Sequence, residues 1–111
     1  MAILKTIPSQ KMINGILIET SEVSVVSEPQ YKTQGESCIV TRNVSKSIII
    51  LDHTTTDHVV VKSMVPTVVK PDTNKIDEEF DEVALDKGAC VEFRFISGAW
   101  LILSSDGLKQ S

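Results

Sequence analysis

The densest set of chemically capable side chains in this sequence is Asp52-His53-Thr54-Thr55-Thr56-Asp57-His58. Two imidazoles and two carboxylates lie within seven residues, and all four are competent metal ligands or acid–base groups for a small hydrolase. The H-x4-H spacing falls on an expected loop, not on one helical face, and Asp and Thr are routine turn formers. A solvated turn is therefore the expectation, with no metal site. The version worth testing is one in which copies of His53 or His58 gather around a symmetry axis.

Other candidate chemistry is thinner. Asp77, Glu78, Glu79, Asp81, Glu82 and Asp86 place six carboxylates within ten positions. Calcium takes six to eight oxygens, but the alternating pattern of a calcium loop is missing, and six near-consecutive side chains cannot converge on one ion. A solvated acidic face is expected. Ser104-Ser105-Asp106-Gly107 is not a nucleophile elbow, and the five glycines are isolated, so no phosphate loop is formed. No catalytic residue and no cofactor are expected. Trp100 or Tyr31 could offer a sugar-stacking platform in a soluble carbohydrate-binding β domain. Trp100, inside an apolar run directly after a turn, fits better as a core or oligomer-seam residue. Cys38 and Cys90 read as free thiols in strands.

The elements that would position these groups are strands. Val91, Phe93 and Phe95 alternate with Glu92 and Arg94, the period of a strand with one buried face. Ser97-Gly98 supplies a tight reversal, Ala99 to Leu103 a second strand, and the polar run through Gly107 its end. This hairpin holds three of the five aromatic residues, and the core is expected to form against it. Before it, Cys38-Ile39-Val40, Ile48 to Leu51, His58 to Lys62 and Thr67 to Lys70 read as short strands. They recur every 8–12 residues, as in sandwiches, barrels and β-prisms. Ile48 to Leu51 suits a strand buried on both faces. Tyr31 to Gly35 is expected as a polar connector. The segment 72–87 is expected to be a loop and then a strand at Glu82 to Leu85, with a turn at Asp86-Lys87-Gly88. The competing pattern there is a helix on Ile76, Phe80, Val83 and Ala84.

The first 29 residues differ in texture. Ile3, Leu4, Ile7, Met12 and Ile13 are apolar without a clean period, and Asn14-Gly15 signals a turn. Residues 1–29 form either a first hairpin or an extended arm that docks by adding a strand to an open sheet edge. Residues 30–111 form the β domain. The fold class is all-β, a small antiparallel sandwich, barrel or β-prism-like domain.

Composition narrows the function further. The net charge is −4 and the eleven Lys and Arg residues are scattered, which argues against a nucleic-acid partner. The N-terminus lacks the apolar core of a signal peptide, and no apolar run approaches membrane-spanning length. With few aromatic residues, the core is thin, and oligomerisation is a common remedy.

From His58 to Leu103 the sequence runs V-V-V-K, T-V-V-K-P, I-D, V-A-L, G-A-C-V-E-F-R-F and G-A-W-L-I-L, followed by S-S-D-G. This resembles the β-rich modules of tailed-bacteriophage virion proteins, including capsid decoration or cement proteins, head fibres and tail-fibre segments. The matching elements are Val59 to Lys62, Val68 to Pro71, Ile76-Asp77, Gly88 to Phe95 and Trp100 to Gly107. Tail-fibre chains are usually much longer, which favours a small stand-alone virion component. The resemblance implies a non-enzymatic structural protein of the virion, assembled in the host cytoplasm. It also implies homotrimers that dock on the major capsid protein or another virion protein. In that reading Phe93, Phe95, Trp100 and Leu101 make core or oligomer contacts. Ile3, Leu4, Ile7, Met12 and Ile13 belong to the docking arm.

Overall fold

The computed structural model describes residues 3–13 and 16–109, with side chains from 23 to 107. All its regular elements are strands. They are β1 (Ile3–Ile13), β2 (Ile16–Val26), β3 (Gln30–Lys32), β4 (Cys38–Thr41), β5 (Ser47–Leu51), β6 (His58–Ser63), β7 (Thr67–Pro71), β8 (Val83–Ile96) and β9 (Ala99–Lys109). The all-β class holds, and the sheet curls nearly into a barrel.

The direction of pairing departs from an antiparallel design. β2, β4 and β6 pair in parallel, and so do β3, β5 and β7. The chain alternates between these two stacks, so strands two apart run the same way. Each crossover is made by a strand of the opposite stack, in place of the helix usual between parallel strands. The long strand β8 joins the stacks. Its first residues pair antiparallel with β7 and its later ones with β6. β9 returns along β8, and β1 pairs antiparallel with β2.

The core lies between the stacks. Inward positions alternate along each strand: Ile39 on β4, Ile49 and Leu51 on β5, Val59 and Val61 on β6, Val69 on β7, Val91 and Phe93 on β8. Trp100 of β9 joins them, fully buried. Thr41 and Thr67 also point inward, and their hydroxyls meet at 2.7 Å, joining one stack to the other. Ile48 and Ile50 are only half-buried, because no further layer among the described residues covers the outer face of β5. The expectation of a strand buried on both faces is therefore corrected. Tyr31 is likewise no polar connector. It sits on β3 with its ring in the core, and its hydroxyl donates to the buried Glu36 carboxylate.

Three turn expectations meet the structure differently. Ser97 and Gly98 both take positive φ, 52° and 82°, and close a two-residue hairpin with Ile96 opposite Ala99. Asp86-Lys87-Gly88 does not turn the chain. It is a bulge inside β8, exposed throughout, with Gly88 at φ 93°. The bulge redirects β8 from β7 to β6. Gly107, expected to end β9, lies inside it opposite this bulge, at φ 80°. A Cβ there would stand 3.2 Å from Ala89 Cα. The loop-then-strand reading of 72–87 matches the structure. Ile76 is buried and bridges to both Phe80 and Trp100 within that loop.

β1 and β2 form a hairpin with Ile13 opposite Ile16. Only Val23 to Val26 of β2 pair with the body, through β4. The side chains of Ile3, Leu4, Ile7, Met12 and Ile13 lie outside the described residues, as does the Asn14-Gly15 turn.

Candidate functional site

The loop from Asp52 to Asp57 joins β5 to β6, and its threonines stitch it to the chain after β3. Thr55 Oγ1 donates to Thr33 O at 2.8 Å, Gly35 N–H donates to Thr56 Oγ1 at 2.9 Å, and Asp52 N–H donates to Thr33 Oγ1 at 2.9 Å. Asp52 Oδ1 accepts from both the N–H and the hydroxyl of Thr54, an Asx-turn. These bonds hold the Asp52 carboxyl below its ordinary pKa. The loop is thus an ordered turn, with its polar atoms largely engaged locally.

Its two histidines point to different places. His53 Nδ1 lies 2.6 Å from Asp72 Oδ2, and its backbone N–H donates to the same oxygen at 2.9 Å. The other oxygen, Asp72 Oδ1, accepts the Trp100 indole N–H at 3.1 Å. The His53 ring stacks on Phe95 with centroids 4.8 Å apart and planes at 24°, and Phe95 tilts against Trp100 at 5.3 Å. Four chain segments meet here: the loops after β5 and β7, the end of β8 and the start of β9. Burial works against ionisation of Asp72, yet the N–H groups of His53 and Trp100 outweigh it and hold its carboxyl below the usual range.

Asp52, His53 and Asp72 place three ligand atoms within 4.8 Å of one another. Their hydrogen bonds already account for the arrangement. Both Asp72 oxygens are engaged, one of them by a fully buried indole that needs a partner. A cation would have to displace the His53–Asp72 bond. The set is best described as a carboxylate clamp that closes the hairpin end of the barrel.

His58 faces the outer surface of β6, where its Nε2 is 2.6 Å from Glu92 Oε2 on β8. Ser104 Oγ of β9 donates to Glu92 Oε1 at 2.9 Å. These two bonds, His58 first, hold the Glu92 carboxyl below its usual pKa. A serine, a histidine and a glutamate therefore stand in a row, but in the wrong order for nucleophilic catalysis. Activation requires the imidazole between hydroxyl and carboxylate. Here the carboxylate is in the middle, so His58 is not placed to take the Ser104 proton. Among the described residues, no hydroxyl or thiol is hydrogen-bonded to either imidazole.

The acidic run disperses. Asp77 serves the sheet edge: its N–H donates to Trp100 O at 2.8 Å, and its carboxylate accepts the Ile102 N–H at 2.9 Å. Lys75 pairs with Asp81 at 2.8 Å and Lys70 with Glu82 at 3.7 Å. The two aromatic platforms are unavailable to a sugar, since Trp100 is buried completely and Tyr31 is 3% exposed. Phe93 is fully buried, Phe95 packs on the core from its margin, and Leu101 is half-buried on β9. Cys38 and Cys90 are free and half-buried on strands flanking β6, and burial pushes the Cys38 thiol up.

Asp72, Glu92 and Ser104 complete these clusters and carry no mark in the sequence. Asp72 follows a proline, and its partners lie 19 and 28 residues away. Glu92 looks like any polar residue of an alternating strand. No protein-family model matches the chain, and no curated protein matches its sequence.

Proposed function

We propose that this chain is a non-enzymatic structural protein of a bacteriophage particle. In this reading it is a capsid decoration or cement protein that binds the capsid lattice as an oligomer. The observation that supports it best is the β1–β2 hairpin. β1 offers an eleven-residue strand at the end of the sheet, and β2 is tied to the body by four residues only. An open edge of that length is a template for strand addition, with main-chain hydrogen bonds supplying affinity. Half-buried apolar side chains continue from it across the outer face: Val23 and Val25 of β2, Cys38 and Val40 of β4, Val60 of β6. A capsid subunit paired on β1 would cover this strip. Burial of apolar area, at about 25 cal/mol per Å² before association costs, would supply most of the binding free energy. The polar clusters fit the same reading, since their hydrogen bonds lock loops and strands together.

The test is removal of residues 1–10, followed by binding to purified particles. The expected outcome is an intact sheet signature in circular dichroism and loss of particle binding. Full decoration by the truncated protein would overturn the docking role of β1. The original chain should co-purify with intact particles at a fixed copy number, and its absence from them would overturn the virion reading as a whole.

A further inference from the structure

We propose that Pro8 divides the free edge of β1, so that a partner strand pairs with Ser9 to Ile13 and not with the stretch nearer the body. The proposal rests on the docking role of β1 in the virion reading and narrows it to one segment and one partner chemistry. The side to which each residue of β1 turns its backbone follows from bonds inside the body. Arg42 N–H donates to Val26 O at 3.1 Å, so Val26 turns its N–H and C=O toward β4. Direction alternates along a strand, so Ser24 faces β4 as well and Val23 faces β1. Val23 lies opposite Ile7. Ile7 therefore bonds to β2, and Pro8 turns outward.

Proline has no N–H, so the outward edge has a gap at that position. An edge strand tolerates proline in this orientation, and the gap blunts the edge to incoming strands. On the body side of Pro8 the edge is broken a second time. The register shifts between Ile3 and Thr6, where β1 carries one residue more than β2. Such a bulge also discourages pairing. Beyond Pro8, β1 is regular, and the extra residue in that part of the hairpin, Thr20, belongs to β2. By the same alternation Ser9, Lys11 and Ile13 bond to β2, while Gln10 and Met12 turn N–H and C=O outward. This stretch stands clear of the body, because β4 pairs with β2 only from Val23 to Val26. A two-stranded ribbon is marginally stable at best in water, so a third strand stabilises most here.

Register and charge argue against a second copy of the same strand. An antiparallel mate centred on Lys11 uses Gln10 and Met12 fully, but it sets Lys11 directly opposite its own equivalent, an unfavourable like-charge pair. Centring on Gln10 brings Pro8 into the ladder opposite Met12, where a bond is missing. Centring on Met12 carries the ladder past the end of the strand at Ile13. Lys11 is the one charged residue between Pro8 and Ile13. The occupant that fits is an extended segment of a capsid subunit, with Asp or Glu opposite Lys11.

Proline substitution at outward positions tests this without removing any bond between β1 and β2. Gln10→Pro and Met12→Pro should each weaken binding of the full chain to purified particles at least about tenfold. Thr6→Pro, outward on the body side of Pro8, should bind within about threefold of the original. Lys11→Glu, which leaves the backbone alone, should weaken binding about tenfold. If a proline variant loses its circular dichroism, Lys11→Glu still decides. Equal losses from Thr6→Pro and Met12→Pro, or binding indifferent to Lys11→Glu, would overturn the proposal and leave the virion reading in place. A dimer at about 100 µM in sedimentation equilibrium, dissociated by Met12→Pro, would overturn it in favour of a second copy. If the original chain does not bind particles at all, the virion reading fails and this proposal fails with it.

Discussion

Asp72 is the residue with the most structure hanging on it. It satisfies a buried indole N–H, orients His53, and through His53 fixes the Asp52 to Asp57 loop against Phe95. Asp72→Ala leaves the Trp100 N–H without its partner, a loss of about 2 kcal/mol. Urea denaturation followed by Trp100 fluorescence should show it. The pH dependence has a defined sign. The folded-state pKa of Asp72 lies below its unfolded value, so the native state holds its proton less tightly than the unfolded chain. Its stabilisation is complete above the ordinary carboxylate range and is lost as pH falls through the folded pKa. Melting temperature should therefore drop below about pH 4, and Asp72→Asn should flatten that drop. Tyr31→Phe tests a second buried polar pair. Glu36 keeps the Gln34 N–H at 2.7 Å but loses the phenol, and stability should fall by about 1–3 kcal/mol in equilibrium unfolding.

At the scale of elements, β8 decides the architecture. One strand serves both stacks because its bulge at 86–88 redirects it, and β9 accommodates the bulge by placing Gly107 against Ala89. Two glycine substitutions separate backbone strain from steric contact. Gly98→Ala meets nothing within 4 Å and should cost about 1 kcal/mol, for positive φ alone. Gly107→Ala adds a contact at 3.2 Å with a neighbouring backbone and should cost at least twice as much in thermal unfolding. The hairpin around Ser97-Gly98 was legible in the sequence because its signal is local: alternation on both sides and a turn pair that tolerates positive φ. The bulge was not. The residues Asp86-Lys87-Gly88 have the composition of a reversing turn, and only the need to pair with β7 and then β6 keeps the chain extended through them.

Across the whole molecule, most pairing joins strands far apart in sequence. Val23 lies beside Cys38, Cys38 beside Val60 and Ser47 beside Thr67. Closing such loops costs entropy before contacts repay it, which makes parallel sheets slow to form. Refolding monitored by Trp100, the single tryptophan, should take milliseconds to seconds. Trp100 contacts Asp72 and Ile76 as well as β8, so its fluorescence should recover only when the loop after β7 has docked.

Alternation along the chain was enough to mark a run of strands from Cys38 onward, the shared face of Val59 and Val61, the inward face of Val91 and Phe93, and the tight turn at Ser97-Gly98. It misjudged β5 as buried on both faces and broke β8 at Asp86-Lys87-Gly88. Alternation and turn chemistry are properties of neighbours along the chain. The tertiary structure alone decided that half of the strand pairings are parallel, that Tyr31 belongs to the core, and that the two histidines serve separate carboxylates. Those features depend on which segments meet across the barrel. No local pattern encodes the partner of His53, 19 residues away, or of His58, 34 residues away.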